Sequence, residues 1–600
     1  MSESVAIVGG GIGGLCAAHH LSWAGVQNIT VYEAEAEVGG KARSQYPELL
    51  GGVPFPGEHG FRFFPHFYRH LLETLRQIDV PEGGSVWDRL IEPGEAGIAY
   101  NGRKLLEVTR PVKITDPVEF VSTAAQLLIR QEIGLEDGLQ FLSRLLEFGT
   151  SCQERRDQVY DRMAWTKFTG AADGAYEEDF NNIVIKASQN LSAMRAAQSS
   201  AATIGAITWQ LMFLFGEGER TDAILPGPTD EMWLRDWHTF LEKRGVKFRF
   251  GMPLQRFRFD RMAGRIEGLD FGAETIEADH YIAAVPLESM AALVDDEMAT
   301  FDPCLGGLKG LASRALGDMV GVQFFLTRRT DITSGHVHYP GTPFALTSIS
   351  QGQFWRHPPH EREGLSGVKD VVSVIISDPD TVGTEGLRVR DYTDRDALCR
   401  EVWRQMSQAL PDGTLYIGDV LAMHLDENVS LDPFVNRSRL LIHPVDQLGF
   451  RPDAETAIEN LFLASDYVRT YTDLATMEGA DEAARRAVRA ILDRMEVDES
   501  RWPLVERLDE GDLFKMAKAR DRELFRMGLP HAVQIDGGDA KVLLDKGAEA
   551  FGMISEGLGD FQEFVAQTIG LPTLLPGNRE ARESDLSDWL RLLTTGLWKT

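Results

Sequence analysis

The chain opens on an unbroken apolar run over residues 5–8, and from Ala17, Ala18 and Leu21 onward its apolar positions recur at helical spacing. Such a run, bounded by turn residues, predicts a strand buried on both faces, and the change of period predicts a helix directly after it. The stretch "ITVYEA" predicts a second strand ending at Glu33. Much later, "VKFRF", "RFRFD", "GRIEGLDF" and "ETIEADHYIAAVP" alternate and turn like a small sheet returning to the first strands. "LFLAS" is a further buried strand, after which Ala480, Ala483, Ala484, Ala487, Val488, Ile491 and Leu492 mark one face of a helix beginning near Met477. Strands alternating with helices predict an α/β fold with a Rossmann-like parallel sheet.

The turn after the first strand carries Gly9, Gly11 and Gly14 in GxGxxG register, with Ile12 and Gly13 between them. The first glycine permits the tight turn, the second admits a pyrophosphate close to the backbone, and the third lets helix pack on strand. The N–H groups at the helix start then face the phosphates. Glu33, followed by Ala34, ends the second strand, where a carboxylate accepts hydrogen bonds from the adenosine ribose. This motif alone fits NAD or FAD. A second glycine pair, Gly39 and Gly40, with Lys41 and Arg43 beside it, and a third cluster, Gly57, Glu58, His59 and Gly60, point to FAD, because a plain dehydrogenase needs neither. The chain has one such cradle, which disfavours reductases that carry a second one for NAD(P)H.

Six hundred residues predict more than one core. A net charge of −30 argues against nucleic acid as a partner. Four scattered cysteines form no metal or disulfide spacing and fit a reducing cytoplasm. Residues 196–216 carry no charge, but Gln198, Ser199, Ser200, Thr203, Thr208 and Gln210 are costly in hydrocarbon. A buried helix lining a cavity is expected there, with contact of its "WQLMFLF" end with a membrane surface as the lesser option.

Four stretches, "VAIVGGGIGGLCAAHHL", "VYEAEAEVGGKARS" with "GEHGFRFFPHFYRHL", residues 246–286, and "NLFLASDYVRTYTDLATMEGADEAARRAV", together resemble the FAD-dependent amine oxidase and phytoene desaturase superfamily. The wording is most similar to carotenoid desaturases of the plant and cyanobacterial type. The resemblance implies that Leu254 touches the adenine and that residues 284–286 lie near the flavin linkage. It also implies that Asp466 faces the ribityl or pyrophosphate region and that Met477 and Glu478 open a helix aimed at the flavin ring. It implies FAD as cofactor, a small-molecule substrate, and Glu58 and His59 as candidates for acid/base work.

The expected organisation is an FAD-binding domain from residues 1–110, 236–300 and 451–495. An inserted α+β substrate domain follows from 111–235, its helical part, and 301–450, its sheet part, with a helical extension over 496–600. Ser350, Gln351 and His443 are expected around the substrate cavity. His336 and His338 share a strand face without a third metal ligand in spacing, so no metal is expected. The leading reading is desaturation or rearrangement of an apolar isoprenoid or polyene-like substrate. Oxidation of an amine or another soluble intermediate, and a flavoprotein scaffold without turnover, stand as alternatives. The electron acceptor is left open.

Overall fold

The computed structural model describes residues 3–531 apart from 51, 61, 95, 100–101, 103–104, 109–111, 114–134, 179, 183–184, 187–188, 190–193, 215–221, 331 and 508–511. Five strands form a parallel sheet in the order Lys247–Arg249, Asn28–Tyr32, Ser4–Val8, His280–Ala283 and Leu461–Leu463. Three separate regions of the chain therefore build one sheet. The central strand carries Val5, Ala6, Ile7 and Val8, all buried, as a strand covered on both faces requires. Helices Ile12–Trp23 and Met477–Arg494 pack on each other through small side chains, Ala17 and Ala18 against a face that includes Ala480, Ala483, Ala484 and Ala487. Strands Arg256–Asp260, Arg265–Asp270 and Thr275–Ile276 form the small antiparallel sheet that the alternating segments predict.

A second sheet has seven strands in the order Val420–Leu425, Val320–Leu326, Asp370–Ile376, Leu346–Ser350, His336–Tyr339, Ala96–Ile98 and Leu106–Val108. All neighbours are antiparallel except His336–Tyr339 and Ala96–Ile98. Its last two strands, Ala96–Ile98 and the edge strand Leu106–Val108, come from the chain's first segment. Because strand side chains alternate, the sheet has two distinct faces. Val322, Phe324, Val372, Val374 and Tyr339 pack under the helix Arg395–Ala409, with Phe324 and Trp403 ring centroids 4.8 Å apart. Gly321, Gln323, Phe325, Ser373 and Ile375 point to the other side, toward residues 55–60.

The uncharged segment supplies the helix Ala201–Met212, whose Ile204, Ile207 and Trp209 are buried. It packs on the helix Leu135–Thr150, where a Cβ on Gly149 would lie 2.3 Å from the Trp209 ring. Among the described residues no helix is long and apolar enough to cross a membrane. Of the predicted C-terminal extension, Asp512–Arg526 is a helix held by Arg155 and Asp521, with Phe514 against Trp209. The expectations for residues 532–600 lie outside the described residues.

Candidate functional site

The glycine loop has the geometry of a cradle. Gly9 has φ +101°, and a Cβ there would meet the Ala284 carbonyl at 2.5 Å. A Cβ on Gly14 would lie 1.9 Å from the Gly9 carbonyl oxygen, so helix and strand close on each other only because both residues lack one. Gly13 is equally tight against Ala464. Gly11 differs: the nearest atom to an added Cβ is Gly40 Cα at 3.8 Å, so the chain itself does not require a glycine there. Gly11 is also the N-cap of the first helix, with no side chain capping the first turn. Gly39, at φ +113°, donates its N–H to the Gly10 carbonyl and brings the second glycine pair against the first loop.

Glu33 is buried and fixed. Its carboxylate accepts N–H groups from Gly10 at 2.6 Å and Glu35 at 2.9 Å, and its carbonyl accepts Met252 N–H at 2.9 Å. The last bond draws the turn that carries Leu254 alongside Glu33. Ala34 is exposed. Lys41 reaches the Arg439 carbonyl and stands 3.4 Å from Glu288, while Arg43 faces Glu35 at 3.7 Å. Neither cation is committed to the cradle in this arrangement.

At the other end, Asp466 follows the strand Leu461–Leu463 and is only partly buried. Thr476 caps the helix Met477–Arg494 by accepting Gly479 N–H at 3.2 Å. The Glu478 side chain has a separate task. Its carboxylate accepts Arg69, His70 and Leu71 N–H and His70 Nδ1, all at 2.8–2.9 Å, and so caps the helix His70–Arg76. A carboxylate with four donors is occupied, which leaves Glu478 its backbone alone for a cofactor role. Burial pushes its carboxyl up, but His70 and these N–H groups hold it below the usual range.

Gly57–Glu58 pairs with Ser44–Gln45 beneath the second sheet. Glu58 accepts Ser44 Oγ (2.8 Å), Thr229 N–H (2.9 Å) and Thr229 Oγ1 (3.0 Å), with Arg62 at 4.0 Å. Its N–H donates to Gln323, which continues through Ser373 to Gln351. Burial raises the Glu58 carboxyl despite these partners. The geometry gives it the work of tying two parts of the fold together. His59 differs: Nδ1 is bound to Asp426, and among the described residues Nε2 has no hydrogen-bond partner.

Arg62, Ile224, Leu225, Thr229, Ile349, Gln351 and Phe354 line a cleft beside the second sheet. Gln351 was predicted there. Ser350 turns away to bond Asp370, and His336 stacks edge-on to Phe63. Sequence reasoning missed Arg62, Gln323, Ser373 and Asp426. Only Arg62 had a local signal, its place in "EHGFR".

The residues fit a bound dinucleotide. Gly11 is a glycine that the chain alone does not need, and the Tyr467 hydroxyl, beside Asp466 and Glu288, is fully buried without a hydrogen-bond partner among the described residues. Such a hydroxyl is costly unless a polar ligand satisfies it.

A Rossmann-type sheet with a glycine cradle, joined to a second mixed sheet over a cleft, defines the class of two-part dinucleotide-dependent oxidoreductases. The chain belongs to the flavin containing amine oxidoreductase family, whose family model matches residues 12–492. It is 26% identical over 520 residues to a carotenoid phi-ring synthase of Streptomyces griseus, covering 82% of this chain and 88% of that one. It is similar in fold to cyclohexylamine oxidase of Brevibacterium oxydans (TM-score 0.52) and to putrescine oxidase (TM-score 0.56). Each of these two is 14% identical, with 82% of this chain and 99% of the other covered.

Proposed function

We propose that the protein binds FAD across the cradle and the Met477 helix and desaturates or rearranges an apolar isoprenoid or polyene-like small molecule. The observation that carries this reading is the likeness, over 82% of this chain, to a protein named as a carotenoid ring synthase; the cleft beside the second sheet mixes Ile224, Leu225, Ile349 and Phe354 with Arg62, Thr229 and Gln351, and the Glu58 carboxylate beside it is engaged by its own partners. Arg62 is the charged group lining the cleft, with Glu58 at 4.0 Å as its counter-charge.

When bound, FAD supplies a two-electron acceptor at N5. In this reading Gly9, Gly11, Ile12, Gly13 and Gly14 receive the pyrophosphate, Glu33 and Ala34 the ribose, and Leu254 the adenine. Gly39, Gly40, Lys41, Arg43, Gly57, Asp466 and Met477 lie along the rest of the cofactor. Glu58 braces the cleft, and His59 is the group placed to take up a proton. The FAD-binding part comprises 1–110, 236–300 and 451–495, with the substrate part inserted between; shallow contact with a membrane would let an apolar substrate enter.

Anaerobic mixing of the purified protein with polyene precursors and with amines tests the proposal. Bleaching of the flavin absorbance by a polyene precursor is expected. Bleaching by amines alone overturns the substrate class, and a colourless protein that refuses FAD overturns the cofactor.

A further inference from the structure

The loop from Asp466 to Thr476 joins the two ends of the chain's last contribution to the proposed cofactor site, and it is held from outside. Arg451 is buried and donates to the Tyr467 and Val468 carbonyls at 2.9 and 2.7 Å and to Asp473. His443, fully buried, accepts Ala475 N–H on Nε2 at 2.9 Å, one residue before the helix cap.

That bond fixes the state of the imidazole. A backbone N–H only donates, so Nε2 carries a lone pair and the proton of the neutral ring resides on Nδ1. Nδ1 lies 3.0 Å from the Gln447 amide nitrogen, while Gln447 Oε1 is buried without a partner. Amide oxygen and nitrogen are told apart by their bonding, and turning this amide over places Oε1 on Nδ1–H and satisfies both atoms. Arg451 approaches Nδ1 at 3.4 Å, a long contact. Burial and the Arg451 charge both press the ring toward its neutral form.

The holder is itself held by the helical insertion. Ser200 N–H donates to the His443 carbonyl at 2.8 Å, Ser199 Oγ to the Ile442 carbonyl at 2.6 Å, and Thr203 Oγ1 to Asp473 at 2.8 Å. These are polar residues of the otherwise uncharged 196–216 segment. His443, Asp446 and Asp473 have φ of +47°, +55° and +47°, left-handed conformations that cluster where surrounding structure imposes them.

Resting on the FAD assignment above, we propose that His443 is a positioning residue for the cofactor. As a neutral acceptor it sets Ala475, and with it the helix start that receives the flavin, from a loop anchored on the substrate-side helix. Its substitution therefore disturbs flavin binding and flavin electronics without touching any residue of the cradle.

The test compares His443→Asn with His443→Gln. Asparagine tolerates the left-handed backbone but is too short to reach Ala475; the glutamine oxygen reaches it. FAD affinity is measured by fluorescence titration of the apoprotein, the midpoint potential and visible spectrum on the reconstituted forms, and folding by circular dichroism. H443N should weaken FAD by about tenfold, the equivalent of one hydrogen bond, and displace the potential, with H443Q restoring both. Wild-type affinity and potential in H443N overturn the proposal. So does a loss in H443N that H443Q does not restore. A wild-type protein that takes up no FAD fails the cofactor assignment instead. Should H443N not fold, Gln447→Leu removes the partner of the buried Nδ1 with His443 itself intact, and unchanged affinity and potential there count against the proposal.

Discussion

The Asp426 carboxylate binds Nδ1 of His59 from a position with no solvent exposure, 367 residues further along the chain. Gln45 Nε2 at 2.7 Å and Asn428 N–H at 3.0 Å complete its shell. Burial pushes Asp426 up, but His59 and these donors hold it below the usual carboxylate range. A carboxylate so placed orients the ring and leaves Nε2 to exchange protons. His59→Gln should lower single-turnover reduction of the flavin by roughly 10²-fold or more, the lower range for a lost acid/base group, with FAD content unchanged. Equal rates in stopped-flow measurements would remove His59 from the chemistry.

Gly11→Ala and Gly14→Ala should part company. At Gly14 the added carbon collides with the Gly9 carbonyl, so the variant should lose both stability and flavin. At Gly11 the chain has room, so the variant should fold with a wild-type melting temperature yet purify with little flavin. A yellow Gly11→Ala protein would mean that no phosphate passes there.

Acid should weaken the fold earlier than carboxylates alone predict. His19 accepts the Trp237 indole N–H on Nδ1 and is therefore neutral; burial lowers it to about 3. Burial likewise lowers His424 to about 4, and burial with Arg485 lowers His20 despite Asp481 beside it. For groups whose folded value lies below the unfolded one, the unfolded chain takes up protons first, so stability present above about pH 6.5 declines as pH falls. His70, raised by Glu478 against its burial, acts in the opposite direction. Urea unfolding should give a lower midpoint at pH 5 than at pH 8; an equal or higher one contradicts this assignment of neutral histidines.

Asp481 bonds His20 Nε2 at 2.9 Å, Thr74 Oγ1 at 2.7 Å and Arg485 Nε at 3.1 Å, all deep between the two packed helices. Burial opposes its ionisation, but Arg485 and His20 keep it ionised far below the usual range. Asp481→Asn leaves Arg485 with Glu73, at 2.7 Å, as its remaining counter-charge and should cost about 1–3 kcal/mol, the range for a buried polar group that loses a charged partner, read from denaturant unfolding of the apoprotein.

Ile349→Trp fills the cleft from a strand position whose neighbours in sequence face the other way. Because Ile349 is itself buried, the larger ring must displace its neighbours, so the variant should raise KM or abolish turnover of a bulky apolar substrate and melt below wild type, while flavin content per folded protein stays unchanged. Full activity would move the substrate elsewhere.

The parallel strands, the glycine turn, the place of Glu33 at a strand end and the helix at Met477 were legible because each depends on local spacing: a run of apolar residues, glycines in GxGxxG register, a 3.6-residue stripe. What escaped was the pairing of polar groups. Nothing near Glu478 says that its carboxylate caps a helix more than 400 residues earlier, or that Gln323, Ser373 and Gln351 form one chain of bonds with Glu58. Such partners are chosen by topology, and their identity carries no periodic signature. The strands Ala96–Ile98 and Leu106–Val108 were hidden for a related reason, since backbone pairing leaves little trace in side chains.

The seven-stranded sheet separates two kinds of heritable change. Positions 322, 324, 372 and 374 are sealed beneath a helix, whereas 321, 323, 349, 373 and 375 look the other way. Exchanges at 323, 349, 373 and 375 can retune what the enzyme accepts while its scaffold persists, whereas Gly321 is fixed because a Cβ there would meet the His59 carbonyl at 2.2 Å; relatives diverging in chemistry should differ at those alternate letters, and a mutagenesis library confined to them should yield mostly folded members.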